Sequence, residues 1–406
     1  MSAADERDGE ALVVATARYN ARLVRPVSGP DIENGTVVVE DETITYVGPG
    51  SGAPPGTDID LGDVILAPGL VNAHTHLDLT ALRGRFNGLK FFEWIRALTA
   101  ARQAMSPGEL LESSRAGIRE GLRAGITTYA DTAPNDAPFE AMRELGVRGI
   151  AYHEVFGPDP KQCDASMAAL REAVAAMHAR RTPLVHVGVS PHAPYSVSDE
   201  LFKAVAGYAV AELLPLATHV AESLDESALI ANGDGAFAAF LRGRDIAVAP
   251  RARTPIDLLE RNGVLGANAL LIHCIRCDDR DIATIAKHRC GVATCPISNQ
   301  MLGHGTARIP AMLIEDIHVG IGTDSMASNE RMDVLAESRL AQGARATERE
   351  TWELATLGGA RALRLDHVIG SLEVGKQADL AAFPFGADPS IPTRASFVAV
   401  AGRVLG

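Results

Sequence analysis

Hydrophobic and polar positions divide the chain into three zones. Residues 11 to about 65 carry short alternating runs, "ALVVATARY" and "GTVVVEDETITYVG", broken by Gly and Pro. Alternation at period two, interrupted this way, predicts a small antiparallel sheet. From about 66 to 365 the pattern changes to apolar runs separated by longer helical stretches. Eight of the runs are strand candidates: "LAPGLVNAHTH", "GITTYADT", "RGIAYHEVF", "PLVHVGVSPH", "LATHVAES", "LLIHCIR", "GVATCPIS" and "HVGIGTDS". From about 370 onward, "GSLEVGKQADLAAF" and "ASFVAVAGRVLG" return to β character.

The helices between the strands are well punctuated. One opens at Ser106-Pro107, with Glu109 three residues after the cap, and stops at Gly125; Thr347 and Glu350 repeat the relation. The zone from 66 to 325 is close to the roughly 250 residues typical of an eight-fold β/α barrel. The reading is therefore an α/β fold, a (β/α)8 barrel over 66–365. A small composite β-sandwich is expected from 11–65 and 366–406, and a disordered acidic tail over 1–10. A doubly wound open sheet is the rival arrangement.

A barrel makes a demand on polar residues, because its chemistry gathers where strands end and enter the following loops. His74 and His76 close the first strand and His192 the fourth. His219, His273 and Asp324 lie near the ends of the fifth, sixth and eighth. Residues i and i+2 of a strand point to one side, so His74 and His76 can share an ion. With His219 and Asp324 they would supply three nitrogens and one oxygen, leaving a position for water. Asp324 in "GTDSMASN" could instead cap a turn. Glu222, three residues after His219, would face away from it on a continuous strand, so the strand must end or bulge there. Glu222 could then exchange protons with a substrate beside the ion, or else be a surface helix cap. His273 could polarise or orient water, or be a satisfied core histidine, and His192 could hold substrate. "PLVHVGVSPH" contains no lysine of the kind that bridges paired metals in such barrels, which favours one ion.

Other features change the picture less. His178, His288 and His367 fall in helical stretches, while His186 and His318 sit at the opposite strand ends; His153 and His304 are undecided. Cys274, Cys277, Cys290 and Cys295 resemble a four-thiolate site only in spacing, since strand geometry would point Cys274 and Cys295 apart. No lysine-bearing phosphate loop is present. A net charge of −13 argues against nucleic-acid or anionic-membrane partners. The polar start "MSAADERDGE" lacks a secretory pattern, no run reaches the roughly 18 apolar residues of a membrane span, and five cysteines fit a reducing compartment. Cytoplasmic localisation is the expectation.

"PGLVNAHTHLD", "SPHAPYSVS", "HVAES", "HC" at 273–274, "CPISNQMLGHG" and "GTDSMASN" together resemble the amidohydrolase superfamily, in its chlorohydrolase and deaminase branch. The likeness spans nearly the whole chain. It implies one zinc or iron held by His74, His76, His219 and Asp324. It implies proton handling by Glu222 and His273, with Asp324 taking a proton from water, and His192 near the substrate. The expected activity is hydrolytic release of ammonia from an aminated heterocycle of 6-aminopurine nucleoside type. "GRFNGLKFFEWIRALTAAR" lacks the Trp-Pro-x-Glu segment of methylthioadenosine and S-adenosylhomocysteine deaminases. That short loop around Trp94, read as substrate-binding, together with "EVFGP" and "LGHG", is more similar to aminodeoxyfutalosine deaminases. Deamination of S-adenosylhomocysteine, methylthioadenosine or guanine, chlorohydrolase or cyclic amidohydrolase activity on the same scaffold, and a catalytically silent metal-binding barrel are the alternatives. The expected partner is a small heterocyclic substrate, with a homodimer possible.

Overall fold

The computed structural model describes residues 16–342, 347–388 and 391–405; the acidic tail expected over 1–10 lies outside the described residues. The middle zone forms a closed parallel barrel. Its strands are β1 (Leu70–His76), β2 (Ile126–Ala133), β3 (Arg148–Val155), β4 (Val185–Pro191), β5 (Leu216–Val220), β6 (Ala269–His273), β7 (Gly291–Thr294) and β8 (Val319–Ile321). Each pairs with the next in parallel register. A short β9 (Asp324–Ser325) continues β8 after a break and pairs with β1, Asp324 opposite Thr75. That pairing closes the circle, so the open-sheet alternative is wrong.

The break falls at Gly322-Thr323 for a steric reason. A Cβ at Gly322 would lie 2.6 Å from the His74 carbonyl oxygen. The bare backbone lets the Thr323 N–H donate to that oxygen at 3.0 Å. The opposite, N-terminal end of the barrel is closed by the helix Gly359–Ala362. A Cβ at Gly291 would come 2.3 Å from the Ala362 carbonyl oxygen, and one at Gly359 2.9 Å from Val71. With that end plugged, the barrel opens where the polar residues cluster.

The terminal segments share a separate, mostly antiparallel sheet. Thr16–Val24 pairs with Ile32–Glu40 on one side and with Val64–Pro68 on the other. Val64–Pro68 pairs with Leu380–Pro384, which pairs with Phe397–Val400. Tyr19, Val37, Leu66, Leu380 and Ala399 bury together within it. A buried two-pronged ion pair ties sheet to barrel: Arg148, at the start of β3, donates to Asp379 at 2.8 and 2.9 Å.

After β1 the chain turns into helix α1 (Phe91–Gln103) and then α2 (Pro107–Arg123). The stretch around Trp94, expected as a short loop, is thus helical from Phe91 on. Helix α2 has the anticipated capping box, Ser106 to Glu109, and the helix Glu348–Glu353 has the other, Thr347 to Glu350. His367 lies in a turn rather than a helix. No helix among the described residues is long and apolar enough to cross a membrane.

Candidate metal centre and active site

Strand ends bring the predicted residues together, and local backbone turns aim them. His74, His76 and His219 each offer a ring nitrogen, all within 4.8 Å of one another. The β1–β2 register slips between Asn72 and Thr75, a bulge that sits next to His74. On β6, His273 is opposite Val220 while Ile272 is opposite His219. Alternation alone would therefore turn His273 away from His219. Its φ of 75° swings the strand end round, and its ring centre lies 5.6 Å from that of His219. Ala221 does the same for Glu222: β5 ends at Val220, Ala221 adopts φ 53°, and the strand bends as its spacing required. Asp324 has φ 56° and places Oδ1 3.5 Å from His74 Nε2 and 3.6 Å from His76 Nε2.

The hydrogen bonds fix which ring atoms are available. The Nδ1–H of His76 donates to the Thr132 carbonyl at 2.7 Å, and that of His219 to the His192 carbonyl at 3.1 Å. Both Nε2 atoms are then bare lone pairs, and they face each other at 3.3 Å. His74 is fully buried with neither ring nitrogen hydrogen-bonded among the described residues. Facing lone pairs and an unsatisfied buried imidazole are costly on their own. A shared cation relieves both, and carbonyl-anchored imidazoles beside a carboxylate are the usual donors to zinc. The residues fit a single divalent ion.

Electrostatics point the same way. Burial, reinforced by His74, pushes His76 down to about 3, and burial likewise pushes His273 down to about 3. Burial opposes the Asp324 carboxylate, but His74, His273 and His76 outweigh it and hold the group well below the ordinary range. Ser298 Oγ and the Ser325 N–H donate to its two oxygens at 2.6 and 2.7 Å. Glu222 is the opposite case. Burial first, then Asp324 and Glu226, push its carboxyl well above the usual value. It lies 3.6 Å from His273 Nε2 and 3.5 Å from His304 Nε2, and it is buried rather than capping a helix. Ser223 is the cap there, and Glu226 accepts from the Ala221 and Glu222 N–H groups at 2.9 and 2.8 Å, pinning the turn.

A model of the amidohydrolase family matches residues 65–404. The chain belongs to the amidohydrolase family. The 5-methylthioadenosine/S-adenosylhomocysteine deaminase of Moorella thermoacetica is 34% identical to this amidohydrolase over 373 residues, 87% of this chain and 82% of that protein. The crystal structure of an adenosine deaminase from Xanthomonas campestris with bound zinc matches at TM-score 0.82 and 27% identity, over 96% of this chain and 92% of that one. Helicobacter pylori aminofutalosine deaminase in complex with methylthio-coformycin matches at TM-score 0.85 over 96% of this chain and all of that one. At 20% identity that likeness shows the fold alone. This amidohydrolase is an enzyme, a hydrolase acting on carbon–nitrogen bonds other than peptide bonds.

His192 reaches the rim as expected, its ring centre 4.9 Å from that of His219 and 4.6 Å from that of Phe156. Trp94 is buried one turn behind Phe91, with the ring centres 6.3 Å apart. Phe91 is the α1 ring that meets the site, 4.3 Å from His304. His304, undecided from sequence, thus joins Glu222, whereas His153 pairs opposite Ala133 and Val189, one position off the parity of Glu154. Sequence reasoning missed three groups. Asn299 accepts from His273 Nδ1 at 3.1 Å and sets its ring. Glu154 lies at the end of β3, a rim position that could have singled it out. Arg102 reaches Glu154 from α1, with no signal in the local pattern.

Proposed function

We propose that this amidohydrolase is a metal-dependent hydrolytic deaminase of a 6-aminopurine nucleoside, with zinc as the ion. His74, His76, His219 and Asp324 would hold it. When bound, such an ion lowers the pKa of water from about 15.7 to near 7 and supplies the nucleophile at neutral pH. The observation that carries the reading is Glu222, a buried carboxyl pushed well above its ordinary range beside these ligands. A protonated acid there donates to the ring nitrogen next to the carbon under attack. His273, set by Asn299, orients the attacking water. Asp324 takes one proton of the water and passes it to the amine, which leaves as ammonia, while the remaining hydroxyl proton returns to Glu222 as the carbonyl forms. Each positioned acid or base is worth roughly 10² to 10⁴-fold.

Aromatic rings suit a planar substrate: Tyr195 stacks on Phe237 at 4.2 Å and meets His192 at 5.6 Å. Two segments that resemble aminodeoxyfutalosine deaminases supply residues at the mouth, Phe156 from "EVFGP" and His304 from "LGHG". This supports aminodeoxyfutalosine as the favoured substrate. The names of the curated relatives favour methylthioadenosine or S-adenosylhomocysteine instead. Steady-state kcat/KM for ammonia release across aminodeoxyfutalosine, both of those nucleosides, guanine and a cyclic amide is the test. The highest value is expected for aminodeoxyfutalosine. Preference for S-adenosylhomocysteine would defeat the finer choice, and cyclic-amide hydrolysis without ammonia from any aminopurine would defeat the class.

A further inference from the structure

Glu154 stands on the inner face of the barrel, opposite Ser190 of β4 and following Tyr152 in the inward parity of β3. Its side chain is 1% exposed. Among the described residues neither carboxylate oxygen accepts a hydrogen bond. Two side chains face it without meeting that need: the Arg102 guanidinium, with Nη1 3.7 Å from Oε2, and the His192 imidazole, with Nε2 3.9 Å from Oε1. A Glu154 oxygen, a His192 nitrogen and a His219 nitrogen fall within 4.8 Å of one another, so the carboxylate adjoins the metal ligands. His219 has one ring nitrogen on the His192 carbonyl and the other facing His76. It has no donor atom left for a second ion at Glu154.

A buried carboxylate with two unused acceptor oxygens is costly unless donors arrive with a ligand. Burial pushes the Glu154 carboxyl up to about 7, Arg102 draws it back toward the ionised form, and both oxygens stay free to accept. Two adjacent hydroxyls match two carboxylate oxygens one for one, and such bonds to an ionised group are the strong kind. We propose that Glu154, held by Arg102, is the specificity-determining acceptor for the vicinal 2′,3′-hydroxyls of the substrate sugar. This rests on the nucleoside deaminase reading and deepens it.

The test compares ammonia release from adenosine and 2′,3′-dideoxyadenosine by the zinc-loaded wild type, E154Q and E154D. Wild type is expected to prefer adenosine by about 10- to 100-fold in kcat/KM, the worth of hydrogen bonds to a charged group. E154Q should bring that ratio close to one, mainly by raising KM for adenosine, and E154D, which keeps the charge, should restore part of it. An unchanged ratio in E154Q would overturn the assignment. So would equal losses on both nucleosides, which is what a carboxylate that only supports the fold would give. Ammonia with wild type from neither of these nucleosides, nor from aminodeoxyfutalosine, methylthioadenosine or S-adenosylhomocysteine, would instead overturn the deaminase reading beneath it.

Discussion

Replacing Glu222 by Gln keeps its size and hydrogen-bonding reach but removes the transferable proton. Zinc content is expected to stay at the wild-type level while kcat falls at least about 10²-fold. Metal analysis beside steady-state ammonia release checks both, and near-normal turnover would leave Glu222 without a role in proton transfer. His76→Ala is the complementary variant: it should lose most of the zinc after dialysis, because a Nε2 that now faces that of His219 disappears. At this scale the histidines and Asp324 were legible because ligand-type residues at successive strand ends have few bland uses. Asn299, Ser298 and Arg102 were not. Each acts on a residue far away in sequence, as Arg102 does on Glu154, and no local pattern records a tertiary partner.

Strands and helices were legible from periodicity, but their last residues were not. Ala221, His273 and Asp324 take left-handed backbone values that side chains larger than glycine seldom adopt. Nothing in a hydrophobic pattern marks such a residue, yet these are the turns that aim Glu222, His273 and Asp324 into the mouth. The misreading of α1 has a different cause. Gly84 and Gly88 punctuate the segment, and the helix begins only at Phe91. The break between β8 and β9 yields a prediction of its own. Gly322→Ala forces a Cβ against the backbone of His74, and overpacking of this kind costs about 1–3 kcal/mol. Thermal denaturation should show a lower Tm, and zinc affinity should fall with it. Unchanged affinity would mean that the strand break does not hold His74 in place.

Barrel and terminal sheet meet through Arg148 and Asp379, both nearly inaccessible to solvent. Asp379→Ala leaves the guanidinium buried without its carboxylate and should destabilise the protein by about 3–5 kcal/mol in denaturant unfolding. Zinc stoichiometry of the folded fraction should not change, since the pair lies at the N-terminal end of β3, away from the mouth. The composite organisation was legible from the return of β character after residue 370, whereas this buried pair was not, because Arg148 and Asp379 are ordinary surface residue types until folding joins them. The central claim is that one ion, held by four residues from three strand ends, enables deamination. Titrating zinc into metal-free protein while following ammonia release from the best nucleoside tests it most directly. Activity should be absent without metal, rise in proportion to added zinc and level off at about one ion per chain. Undiminished ammonia release from the metal-free protein, or a plateau only at about two ions per chain, would contradict it.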